Sequence, residues 1–172
     1  MVRHLTLYIG QMTQAVDTLK AYRQLDKLPA SEPARVALLF GLKNAERMSD
    51  LRLADQVARG FPVKAAETIE PVFLLISRDA LHRVVSESTL RRARKAKTPL
   101  TREPSARLYE VARVIDQAAR TFHGDGAAVG RFLNRPNPAL EGRAPFDVAK
   151  SSSAGAEAVV RLLREAQAGV AV

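Results

Sequence analysis

The feature that most limits what this chain can fold into is the placement of its helix-stopping residues. Proline lacks a backbone N–H and fixes φ, and glycine ends helices by turning left-handed. Here they fall in clusters: "LPASEP" (Leu28 to Pro33), Gly60 with Pro62, "TPLTREPS" (Thr98 to Ser105), "HGDG" (His123 to Gly126) and "RFLNRPNPALEGRAPFD" (Arg131 to Asp147). Between the clusters lie stretches of helix length whose apolar residues recur every three or four positions. There is no strong strand alternation and no internal repeat. The expectation is an all-α fold. Alanine, leucine, valine and arginine dominate, which favours helix. Hydrophobic residues are 47% of the 172, enough for a packed core.

Leu5, Tyr8, Ile9, Met12, Val16 and Leu19 predict an amphipathic helix ending near Asp26. The break after it sets residues 1–30 apart as an N-terminal helical extension. Ala34 to Leu42 is a short apolar run, helical or extended. Ser49 suits the N-cap of a helix stopped by Gly60; Pro62 suits a helix start and Pro71 a kink or break. Ser77 can cap a short helix burying Leu81, Val84 and Val85. Ser86 can cap the next, with Glu87 in its first turn and Leu90 and Ala93 inward. Thr101 is placed to cap a long helix to about His123, with Leu108, Val111, Ala112, Ile115, Ala119 and Phe122 on one face. Asp125 caps a short helix carrying Val129, Phe132 and Leu133. Pro145 opens a helical turn with Phe146 and Val148. A last helix carries Val159, Leu162, Leu163 and Ala166 and ends at Gly169.

The formal charge is +9, and +6 of it falls between Arg78 and Arg102, where eight basic residues face only Asp79 and Glu87. The positive field is therefore local, the pattern of a polyanion-binding surface. Two short helices joined by a tight turn, the second strongly basic, outline a helix-turn-helix. On the second helix Ser88, Arg91, Arg92 and Lys95 fall at i, i+3, i+4 and i+7 and share the outward face. Serine and lysine can hold phosphates there, and arginine can pair with guanine edges. Arg94 and Lys97, with Arg102, lie toward the rim and suit backbone phosphates. A solvated basic face is the competing reading, and the turn lacks the glycine often found there. The capped, apolar-anchored helix pair favours DNA.

No cysteine is present, so thiolate metal sites and disulfides are excluded. His4, His82 and His123 lie in separate segments, and none has the spacing of a metal pair. No Gly-rich phosphate loop or nucleophile elbow appears. The chain is not expected to be an enzyme, and no catalytic residue, metal or cofactor is assigned. No apolar run approaches the roughly 18–20 residues of a membrane span, so a soluble, cytoplasmic protein with no membrane partner is expected.

From Leu81 onward the chain resembles the antitoxins of RES–Xre type II toxin–antitoxin pairs, the Xre/MbcA/ParS group. The matching features are Thr89-Leu90 with Arg92, Pro99-Leu100-Thr101, Ser105, Arg107-Leu108, Ala112-Arg113-Val114 and Phe122. They continue through the Leu133 to Leu140 turn with Pro136-Asn137, then Gly142-Arg143, Pro145 and the closing "GAEAVVRLLREAQAGV". "LADQVARGFPVKAAETI" is similar more weakly, and residues 1 to about 48 are not covered. Phe132 stands where a tryptophan is usual, Glu141 where glycine is common, and Ala144 where a threonine could cap the Pro145 helix. Pro104 and Ala106 replace acidic residues.

The resemblance implies an Xre-like helix-turn-helix domain over residues 31–102 and a small helical toxin-binding domain over 103–172. The partner would be a RES-domain toxin encoded next door, a protein type that consumes NAD. The antitoxin would obstruct the toxin's active-site entrance, largely with its C-terminal end, and repress its own operon by binding operator DNA as a homodimer. A turn set by prolines is pre-ordered, so little entropy is lost when a partner binds it. Arg135 and Arg143, with Asn137 between them, are then held on stiff backbone where arginine can pair with carboxylates. If the toxin instead offers a phosphate-binding pocket, acidic groups or the tail's carboxylate are the better plug. The competing reading is a plain connector with both arginines solvated. Gly169 lets the apolar tail Val170, Ala171 and Val172 turn away from the last helix, making it a candidate plug. The alternatives are a stand-alone regulator whose C-terminal domain dimerises or senses a ligand, and an interaction protein that has lost DNA binding.

Overall fold

The computed structural model describes residues 2–169 and, within them, the side chains from Gly10 onward other than Val16. Ten α-helices and short 3-10 turns make up the fold among the described residues, and no strand is present. The all-α expectation holds. The order is α1 (Val2–Lys20), α2 (Glu32–Leu39), α3 (Asp50–Arg59), α4 (Val63–Phe73) and α5 (Ala80–Val84), then α6 (Glu87–Ala96), α7 (Arg102–Thr121), α8 (Gly126–Asn134), α9 (Pro145–Ser151) and α10 (Ser153–Gln167). Of the predicted first stripe, Leu19 is buried and Met12 half-buried; Leu5, Tyr8, Ile9 and Val16 lie outside the described side chains.

Most starts and stops follow the local chemistry. Ser49, Ser86, Asp125 and Ser152 each accept a backbone N–H from the first turn of the helix they cap, satisfying donors that a helix start leaves free. Three expectations need correction. Pro71 neither breaks nor ends α4, which runs on to Phe73. It sits in the last turn with its ring buried, so only one helical hydrogen bond is lost and the ring packs on the core. Ser77 is not the cap of α5: Asp79 holds that position, and the Ser77 hydroxyl donates to its carboxylate at 2.7 Å. Thr101 is the N-cap of α7 by position, yet its side chain makes no capping bond.

α7 is the axis of the molecule. It packs against α10, α2, α3 and α9, and Leu108, Val111, Ala112, Val114, Ile115, Ala118 and Ala119 are buried along it. The apolar cluster is continuous from Leu19 and Tyr22 through Phe40, Phe61 and Phe73 to Phe146 and Leu163. Among the glycines that allow close crossings are Gly60 and Gly124. A Cβ on Gly60 would stand 1.8 Å from the Leu100 carbonyl oxygen, and one on Gly124 2.2 Å from that of Leu19. Both have positive φ, which suits glycine.

A buried polar network ties the N-terminal segment to α7. Arg35 on α2 and Asp116 on α7 are 4% and 1% exposed. The Arg35 Nε donates to Asp116 Oδ1 at 3.0 Å and its Nη2 to Oδ2 at 3.1 Å. The Tyr22 hydroxyl donates to Asp116 Oδ1 at 2.7 Å. Arg35 Nη1 donates to the Pro29 and Ala30 carbonyls, closing the "LPASEP" bend on itself. Burial, reinforced by the Asp116 carboxylate, raises the Tyr22 pKa well above the ordinary tyrosine value. Nearer the surface Glu32 accepts from Arg113 and from Arg164, joining the start of α2 to α7 and α10. Burial opposes the charge on Arg113, but its bonds to Glu32 and Glu157 outweigh that and raise its pKa.

Candidate functional site

Two surfaces carry the residues singled out by sequence. The first is α6. The turn before it is two residues, Val85 in extended backbone and Ser86 at φ −58° and ψ 146°. Val85 is buried, and so are Leu90 and Ala93 on the inner side of α6, which fixes the helix against the body. Ser86 locks the start: its Oγ accepts the Thr89 N–H at 3.2 Å and shares hydrogen bonds with the Ser88 and Thr89 hydroxyls. Ser88, Arg91, Arg92, Arg94, Lys95 and Lys97 are all exposed, as their helical spacing requires.

The six do not face one way. Arg91 and Arg94 line a groove between α6 and α4 together with Glu67, Glu70, Glu87 and His82. Arg94 is engaged there, its Nη2 donating to Glu67 Oε1 at 2.8 Å. Arg92 leans the other way, into a cleft between α6 and α7. Lys97 ends the helix in left-handed backbone, φ 53°. The crest of α6 thus keeps Ser88, Arg91, Arg92 and Lys95, while Arg94 is held back by a carboxylate that the sequence did not flag. Glu67 lies 27 residues away in sequence, so local periodicity held no signal for it.

The second surface is the proline turn. α8 stops at Asn134, and a 3-10 turn, Pro138–Leu140, leads to α9. The two ends of the loop are cross-bonded. The Asn137 N–H donates to the Arg143 carbonyl at 3.1 Å, Gly142 N–H to the Asn137 carbonyl at 3.0 Å and Arg143 N–H to the Leu140 carbonyl at 3.0 Å. Asn137 Oδ1 accepts the Ala139 N–H at 2.9 Å, so one face of this amide is spent on shaping the turn. Arg135 and Arg143 are exposed on either side of that bridge. Glu141 stands at φ 56°, a left-handed position that strains a residue with a Cβ and accounts for the glycine more usual there. Pro145 and Phe146 are buried below the loop, and Phe146 meets Phe73 edge-on at 6.4 Å. Arg83 of α5 lies over the Phe146 ring at 4.9 Å and pairs with Asp147, so the helix before α6 rests directly on α9. At the chain's end Gly169 is exposed with φ 75°; Val170, Ala171 and Val172 lie outside the described residues.

Residues 117–169 match the family described as the antitoxin Xre/MbcA/ParS C-terminal toxin-binding domain. Over this stretch the chain is similar to an Xre/MbcA/ParS-type antitoxin. The match runs from the middle of α7 through α8, the proline turn, α9 and α10. Arg135, Asn137, Arg143 and Gly169 all fall inside the antitoxin match, and α6 lies outside it. Among curated proteins nothing matches the chain. No described helix is long and apolar enough to cross a membrane.

Proposed function

We propose that this chain is the antitoxin of a type II toxin–antitoxin pair. It binds and blocks a RES-domain toxin that degrades NAD, and it represses its own operon through α6. The observation that carries this reading is the toxin-binding family match over residues 117–169. The rigid, cross-bonded proline turn within that match supports a docking role, because a pre-ordered loop loses little entropy on binding. Arg135 and Arg143 are the proposed partners of toxin carboxylates, Asn137 the residue that shapes the turn between them, and Gly169 to Val172 the proposed plug. Residues 31–102 act as the DNA-binding domain and 103–172 as the toxin-binding domain, with 1–30 as a packed extension. The chain works in the cytoplasm as a non-catalytic regulator and forms a homodimer on operator DNA.

The capped and exposed basic crest of α6 favours DNA over a merely solvated face. Co-expression with the neighbouring RES-domain protein tests the toxin half: the intact chain restores growth, and a chain ending at Ala168 protects poorly. Full protection by the truncated chain would remove the plug and leave the proline turn as the docking element. For the DNA half, Arg91→Ala combined with Arg92→Ala abolishes binding to the chain's own promoter; undiminished binding would place the recognition surface elsewhere.

A further inference from the structure

The two flanks of α6 differ in charge. On the α4 side the groove brings three carboxylates, Glu67, Glu70 and Glu87, against the two guanidinium groups of Arg91 and Arg94. On the α7 side an open cleft of about 500 Å³ brings Arg92 and Arg107 against the single carboxylate of Glu103. Small apolar residues, Val85, Ala93 and Ala96, form part of its wall, and the Thr89, Thr98 and Thr101 side chains also line it. Arg107 is half exposed and pairs with Glu103 one turn back on α7; this pairing uses one nitrogen and leaves further donors of the guanidinium. Arg92 has no side-chain partner among the described residues.

A helix lying in a major groove has a phosphate backbone passing on either side of it. On the α4 flank the three carboxylates offset Arg91 and Arg94, and Lys64 also pairs with Glu67, so that side offers such a strand no net attraction. The α7 flank offers two arginines lining an open cleft of about 500 Å³. We propose that the cleft between α6 and α7 seats a phosphate of the DNA backbone, held by Arg92 and Arg107, and that this contact sets which flank of α6 turns toward that strand. The inference rests on the reading of α6 as the DNA-binding helix. It adds Arg107, on the helix that also runs into the toxin-binding match, to the DNA surface. It also assigns Glu103 the role of an acid that weakens binding.

The test is titration of a labelled fragment of the chain's own promoter with the full chain at salt concentrations from about 50 to 200 mM. Arg107→Ala should lower affinity equally for promoter and unrelated DNA and reduce the salt slope by about 0.9, a loss of affinity over that range roughly 3.5-fold smaller. Glu103→Gln should raise affinity, an outcome no folding defect mimics. If both variants keep the parent's affinity and slope while Arg91→Ala weakens binding, the cleft is not a phosphate site and the reading of α6 stands. If Arg91→Ala combined with Arg92→Ala also binds like the parent, the reading of α6 falls and the cleft proposal falls with it.

Discussion

At the residue scale the most consequential side chain is Asp116. It is buried on α7 and receives both Arg35 and Tyr22 from the N-terminal segment. Removing one member of a buried ion pair strands the other, which typically costs about 3–5 kcal/mol. Arg35→Ala is therefore expected to lower unfolding free energy by about that amount in urea titrations, while Tyr22→Phe should cost only about 1 kcal/mol. The pH dependence follows from Tyr22. Its folded pKa is raised by burial, whereas an unfolded tyrosine titrates near 10. The unfolded chain thus gives up this proton first, so the contribution is whole below about pH 10 and is lost as pH climbs toward the folded value. Comparing parent with Tyr22→Phe between about pH 8 and 11 should show the parent's stability falling more steeply above 10. Parallel curves would contradict the sign.

At the scale of elements, caps decide how firmly the two candidate surfaces are held. Ser86 caps α6 through its hydroxyl, whereas Ala144, the N-cap of α9, offers no side-chain acceptor. Ser86→Ala should cost about 1 kcal/mol and Ala144→Thr should gain up to about that much, both read from thermal or urea unfolding. These starts were legible in sequence because a cap and its helix are neighbours: Ser49, Ser86, Asp125, Pro145 and the glycine stops all stand where local chemistry puts them. The exceptions are also local in cause. Pro71 is tolerated because a buried ring in a final turn forfeits a single hydrogen bond. Asp79 displaces Ser77 by binding its hydroxyl. The exposed crest of α6 was legible from its period. Its division into a charge-balanced flank and a basic one was not, since Glu67 and Arg107 come from α4 and α7, and nothing in the α6 sequence points to either.

At the scale of the whole molecule the three sequence segments share one apolar cluster. Leu19, Tyr22 and Phe40 pack in the same core as Leu90, Leu133 and Leu163, and Glu32 bridges α2 to α7 and α10 through Arg113 and Arg164. Linker breaks in the sequence marked bends of the chain, and the packing across them lay in contacts distant in sequence, such as Arg35 with Asp116. The full chain should unfold in one transition, with far-ultraviolet circular dichroism and tyrosine fluorescence coincident. Two separated transitions would mean that the α6 region and the toxin-binding match stand independently. Arg83 on the ring of Phe146 also places the proline turn and the α6 pair on a common support. The most direct measurement is size-exclusion chromatography of the purified chain with the RES-domain toxin proposed as its partner, at micromolar concentration. A single complex peak is expected, which Arg135→Glu with Arg143→Glu splits into two; separate elution of the unaltered proteins would contradict an antitoxin role.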